Sequence, residues 1–256
     1  PCPPPRARSS NHPLLELLED ILHHDHTAEP VPLATPDALW VASPPTPTDP
    51  WGPPTRVDEL SSGSRDTTPG VAGDGLTIWL SSNRPGGPGG HDLWVATRPD
   101  RASLWTAPVP VSELNTTVDE LAPQVSGAGL VMVLERDDPG GAGGHDLYLS
   151  TRPSLAEPWG APEPITELNT SANEYAGRLV LGGRALVFCS DRSSSTGRDI
   201  YVAERTTLSE PFSPPQPLVD VNTTADEFDP WPSEDLRYLV FASNRDGNTE
   251  LYEARR

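Results

Sequence analysis

Short apolar runs recur along this chain at an almost constant interval, each followed by a segment of one kind. Asp37-Ala-Leu-Trp-Val, Asp92-Leu-Trp-Val, Asp146-Leu-Tyr-Leu, Asp199-Ile-Tyr-Val and Glu250-Leu-Tyr mark one recurring strand, whose acids lie 55, 54, 53 and 51 positions apart. Between them each unit reads alike: a proline-rich strand such as Ala107-Pro-Val-Pro-Val, an eight-residue polar loop, a short strand, a glycine turn, and an apolar strand such as Leu130 to Leu134. Runs this short, bounded by glycine and proline, are strands rather than helices. Four strands per unit of this length is the period of a β-propeller blade, an antiparallel sheet packed radially in a ring.

The strands of each unit are called a, b, c and d. Strand a follows the polar loop, b is the apolar strand, c carries the aspartate and aromatic, and d is the proline-rich one. Proline has no N–H to donate to a ladder, so d belongs at the outer edge and a at the axis. Three units are complete, over roughly residues 67 to 219; a fourth runs from about Phe228 with a, b and c only, and residues 37 to 57 supply c and d of another. The expected architecture is all-β, a five-bladed propeller with four-stranded blades and an irregular first blade, over residues 28 to 256. Glu29-Pro-Val-Pro-Leu33 resembles a d strand and offers a second way to close the ring. Residues 1 to 27 form an N-terminal extension in which Asn11-His-Pro13 precedes Leu14, Leu15, Leu17, Leu18, Ile21 and Leu22, which predicts one short amphipathic helix.

Composition narrows the function classes. The chain has 256 residues, 37 acids against 18 bases, a formal charge of −19, 32 prolines and 21 glycines. A surface this acidic repels nucleic acid and anionic lipid and favours cationic partners or metal ions. No apolar run is long enough to span a bilayer. With only Cys2 and Cys189 there is no disulfide framework. Cys189 sits in an apolar strand, where an inert buried thiol is expected. Cys2 stands beside a proline-rich start, where bacterial lipoproteins carry their lipidated cysteine, and is a candidate lipid anchor.

Ser82-Asn-Arg-Pro-Gly-Gly, Ser243-Asn-Arg-Asp-Gly-Asn and the strands Asp92-Leu-Trp-Val and Glu250-Leu-Tyr resemble the TolB-like, WD-repeat-like propellers. The loop Asn115-Thr-Thr-Val-Asp-Glu with Pro123 resembles a version found in bacterial cell-envelope proteins. The resemblance covers residues 37 to 256 and implies a monomeric binding or scaffolding protein of the periplasm, envelope or exterior that engages a protein or peptide. Fold alone does not establish that role.

The polar loops end in Asp66, Glu120, Glu174 and Glu227, spaced 54, 54 and 53 apart, so these acids form a ring on one face. Near the end of each b strand stands an arginine: Arg84, Arg136, Arg192 and Arg245. Two readings follow. Each acid is fastened to its arginine, joining a to b; or the ring, with Asp119, Asp226 and Asp229, is a carboxylate-rich mouth that takes Ca2+, another divalent cation or a cationic segment of a partner. His23, His24 and His26, with Asp25, are weaker candidate metal ligands. The glycine loops Pro85 to His91 and Pro139 to His145 lie on the same face. A strand rather than a helix follows them, so they are tight turns and not phosphate cradles. Trp94, Tyr148, Tyr201 and Tyr252 are expected to pack between blades. Catalysis needs a group that departs from its repeat mates, and no such constellation stands out. The alternative to a binding module is a metal-dependent hydrolase or lyase acting on a carbohydrate or ester at the channel mouth.

Overall fold

The computed structural model describes residues 22–23, 38–42, 52–192 and 197–255. Within them the chain forms four blades, each beginning at the axis. Blade I comprises β4 (Asp66–Val71), β5 (Thr77–Ser82), β6 (Asp92–Thr97) and β7 (Val109–Pro110), the strands a to d in order. Blade II follows with β8 (Asp119–Val125), β9 (Val131–Asp137), β10 (His145–Thr151) and β11 (Glu163–Pro164), and blade III with β12 (Glu174–Val180), β13 (Ala185–Ser190), β14 (Asp199–Glu204) and β15 (Gln216–Pro217). Blade IV has a, b and c alone: β16 (Glu227–Pro232), β17 (Tyr238–Ser243) and β18 (Glu250–Arg255). All pairings are antiparallel, and the a strands of successive blades lie side by side.

Five blades were expected, and the described residues give four. In place of a fifth stands a ribbon of two-residue strands, β1 (Leu22–His23), β2 (Trp40–Val41) and β3 (Thr55–Arg56), in that order. β2 and β3 are the expected c and d pieces, since Val57 N–H bonds Leu39 O just as Val111 bonds Leu93 and Ile165 bonds Leu147. Pro53 and Pro54 stand just before β3 and deny a longer ladder its donors there. The expected N-terminal helix is corrected at Leu22 and His23, which pair as a strand with Val41 and Trp40; a short apolar stripe does not form a helix where a sheet edge offers backbone partners. The rest of that stripe, Glu29 to Leu33, Cys2, His24 and His26 lie outside the described residues, as does the side chain of His23.

The core sits in the seams between blades. Seam I–II buries Trp79, Leu93, Leu114, Met132, Leu134 and Trp159. Seam II–III holds Val133, Leu147, Leu168, Leu186, Phe188 and Phe212, and seam III–IV holds Ala176, Val187, Cys189, Ile200 and Phe241. The ribbon covers the other side of blade I through Leu39, Val57 and Leu60, against Ile78, Leu80 and Trp94. The b strands of blades I to III therefore have a neighbour on both faces. That is why β13 is buried at every position and reads as an unbroken apolar run rather than an alternating one.

Candidate functional site

The four ring acids all lie at the start of strand a with side chains 0% exposed. Asp66 pairs with Arg84 (2.6 Å), Glu120 with Arg136 (3.2 Å), Glu174 with Arg192 (3.0 Å) and Glu227 with Arg245 (3.0 Å). The loop folds back on its own acid. Thr170 donates to Glu174 through both N–H and hydroxyl, Thr116 does the same for Glu120 and Thr223 for Glu227, and Ser62 serves Asp66. Ser82, Ser190 and Ser243 on the b strands add a further hydroxyl each. The arginines also donate to carbonyls of the preceding loop, at Leu60, Leu114, Leu168 and Val221. A buried charge is tolerable only when paired and hydrogen-bonded in this way.

Arg136 reaches its acid from a different place. Glu120 faces Arg136 across the ladder, whereas Asp66, Glu174 and Glu227 face Ser82, Ser190 and Ser243. Blade II thus puts its arginine where the others put serine, two positions earlier. Asp138 occupies the usual arginine place and accepts from the Tyr148 hydroxyl at 3.3 Å. Spacing alone hid this exchange, because both arrangements end b with an arginine near an acid. Burial raises Glu120 above the usual carboxylate range, opposed by Thr116 and Arg136.

Strand-c aromatics play a part the sequence did not disclose. Arg84 lies over Trp94 (5.2 Å), Arg136 over Tyr148 (5.0 Å), Arg192 over Tyr201 (5.0 Å) and Arg245 over Tyr252 (4.6 Å). Each guanidinium is held between a carboxylate and a ring. A second repeat of the kind closes the outer hairpins, where Arg98, Arg152 and Arg205 stack on Trp105, Trp159 and Phe212 and donate to the turn carbonyls of Gly75, Gly129 and Gly183. The arginine that follows strand c in each of these units was the available signal.

Around the buried ring lies a shell of less buried acids. Asp119 and Asp226 are 39% and 32% exposed and accept the N–H of His91 and Arg198 from the preceding blade, a task Asn173 performs for His145. Asp137, Asp246 and Glu250 are exposed at the ends of b and the starts of c. The glycine loops share this face, and their glycines serve close approach: a Cβ on Gly87 would lie 1.9 Å from the carboxylate of Asp92, and one on Gly141 2.0 Å from that of Asp146. His91 immediately precedes strand c and His145 begins it, each bridging to the next blade through its backbone. Among the described residues no three His, Cys, Asp or Glu side chains are grouped as metal ligands.

One carboxylate breaks the repeat. Glu135 stands on β9 where its mates are Ser81, Cys189 and Ala242, in the seam facing blade III. One of its oxygens accepts the N–H of Ala176, and the other is 4.0 Å from His145 Nδ1. Arg178, half-buried on β12, donates to Pro230 O and lies 4.3 Å over the Trp231 ring. Burial, with the like charge of Asp229, pushes Glu135 up to about 7, and desolvation lowers Arg178 to about 10.

No protein-family model and no curated protein matches the chain. Solved structures do. TolB from Acinetobacter baumannii superposes with a TM-score of 0.58 at 16% identity, over 87% of this chain and 47% of that one. The putative TolB from Agrobacterium tumefaciens gives 0.54 at 17%, over 79% and 62%. The fold is a TolB-like β-propeller. The chain spans roughly half to two thirds of the length of these TolB structures. A thermostable family-43 glycoside hydrolase shares the architecture at a TM-score of 0.54 and 14% identity, over 78% of this chain and 71% of that one. The architecture thus occurs in a glycoside hydrolase as well as in TolB, and the fold by itself assigns no function to this chain. No helix among the described residues is long and apolar enough to cross a membrane.

Proposed function

We propose that this chain is a binding or scaffolding propeller of the bacterial envelope or exterior, which offers the face where its a strands begin to a cationic segment of a protein or peptide. The observation that carries this reading is the division of charge on that face. Each ring carboxylate is cancelled by its own arginine inside the fold, so the ring adds nothing to the net charge of −19, and the negative charge this face shows to a partner is that of its outer acids. Asp119 and Asp226 are part of that shell, and a partner meets them before it meets the buried ring. Complementary charge on the partner speeds encounter and fixes orientation.

The test is a titration of the full chain with a fluorescent arginine-rich peptide and with a neutral peptide of equal length, at low and physiological salt. Asp119→Asn with Asp226→Asn is the informative variant, because Asn173 already does the backbone task of this position in blade III. Binding of the cationic peptide alone, weakened by salt and by the double substitution, is expected. Equal binding of both peptides, or cationic binding that the substitution leaves unchanged, removes this face from the reading.

A further inference from the structure

Strand a has the same irregularity in every blade: two residues after its acid, Thr68, Ala122, Ala176 and Asp229 adopt φ of 45°, 47°, 50° and 48°, and the register with strand b shifts there. The bulge turns an N–H away from its own ladder, and the preceding blade must supply the acceptor. Blade I supplies the Thr68 hydroxyl to Ala122, itself bonded to Ser81. At seam III–IV the Asp229 N–H is directed at the sulfur of Cys189. Only at seam II–III, among the described residues, is that acceptor an ionisable carboxyl, Glu135.

The second oxygen of Glu135 faces His145 Nδ1 at 4.0 Å, and that nitrogen is buried with no hydrogen-bond partner. His145 is itself tied to blade III, through its backbone N–H to Asn173 and its ring over Tyr175 at 5.1 Å. We infer that Glu135 and His145 act as a proton-operated clasp between blades II and III, which holds the seam tight while the two share a proton and loosens it when the proton is lost. In the closed form Glu135 Oε2–H donates to the Nδ1 lone pair, a bond that a small side-chain rotation brings within reach, while Oε1 keeps the Ala176 N–H. In the open form the proton has gone to water and a carboxylate is left in an apolar seam.

The surrounding groups set the direction. Arg178 on blade III and Asp229 on blade IV act on Glu135 through their charges, Tyr175 and Cys189 both feel the Glu135 charge, and Asp191 and Arg198 act on Tyr175 as well. Desolvation, the largest cause, and the like charge of Asp229 outweigh the Ala176 N–H and Arg178, which favour the carboxylate, and push Glu135 up to about 7. The folded value of Glu135 lies above the unfolded one, so the contribution of its protonated form is complete below about pH 4.5 and is lost as pH rises through about 7, while the bond to His145 holds only where the imidazole keeps its Nδ1 lone pair.

The experiment follows thermal unfolding of the full chain from pH 5.5 to 8.5 for the wild type and for Glu135→Gln, which keeps an acceptor for Ala176 and removes the titration. The wild type is expected to lose roughly 5 °C more than the variant across this range. Exchange of the Ala176 and His145 amides, corrected for intrinsic rates, should quicken with pH relative to Leu134 in mid-strand. Equal pH dependence in both proteins, or exchange that quickens uniformly, overturns the clasp. Should the variant fail to fold, a 13C titration of the wild-type Glu135 carboxyl decides: a midpoint well above the ordinary range supports the clasp, and one near about 4.3 ends it.

Discussion

Each blade hides its ring carboxylate from water, and the way it does so depends on a few atoms. Arg192 Nη2 meets Glu174 at 3.0 Å and Leu168 O at 2.7 Å, while its plane covers Tyr201. Removing the cation leaves a carboxylate with 0% exposure facing only hydroxyls and one N–H. Arg192→Ala is therefore expected to cost about 3–5 kcal/mol in urea denaturation, several times the effect of removing the exposed ion-pair partner in Arg56→Ala. Glycine matters at this scale through proximity. Gly87→Ala would drive a methyl into the buried Asp92, and expression yield with the denaturation midpoint should fall well beyond the cost of an ordinary loop substitution.

At the scale of elements, the d–a loop joins one blade to the next. Its asparagine clips strand c: Asn169 accepts from Leu147 N–H at 2.9 Å and donates to Leu147 O at 3.0 Å, and Asn115 and Asn222 repeat this at Leu93 and Ile200. The ribbon has Ser61 in that role, with a single bond to Leu39 N–H at 3.2 Å. Asn169→Ala leaves the Leu147 N–H in the seam unpaired, with Leu147 O keeping only the Ile165 N–H, and is expected to lower stability by about 1–3 kcal/mol, measured by chemical denaturation. The d strands are only two residues long, as proline at their centres dictates, and the short ladders are held outside by the stacked Arg98, Arg152 and Arg205.

The whole molecule is a succession of seams, and its stability should vary along the arc. Leu93, Leu147 and Ile200 are 0% exposed because a following blade covers them, whereas Leu251 at the same place on β18 is 62% exposed. Native-state hydrogen exchange should accordingly be slowest in β9 and β13, which are sandwiched on both faces, and fastest among the c strands in β18. A uniform protection pattern would mean that the blades unfold as one unit.

Much of this was legible in the sequence for one physical reason: a repeat imposes the same environment on equivalent positions, so spacing alone gives strand order, the polar face and the ring of Asp66, Glu120, Glu174 and Glu227. The placement of proline-rich strands at the edge followed from the missing N–H. Spacing could not distinguish Arg136 on the ladder from the arginines two residues beyond it, because a ladder register is a matter of backbone partners and not of distance along the chain. Nor could it count blades where a segment such as residues 37 to 57 has the right pattern without a strand a to carry it. Burial decided the rest: whether a carboxylate faces water or an arginine, and whether Glu135 is one acid among 37 or the ionisable acceptor in a closed seam, depends on which neighbour the fold brings against it.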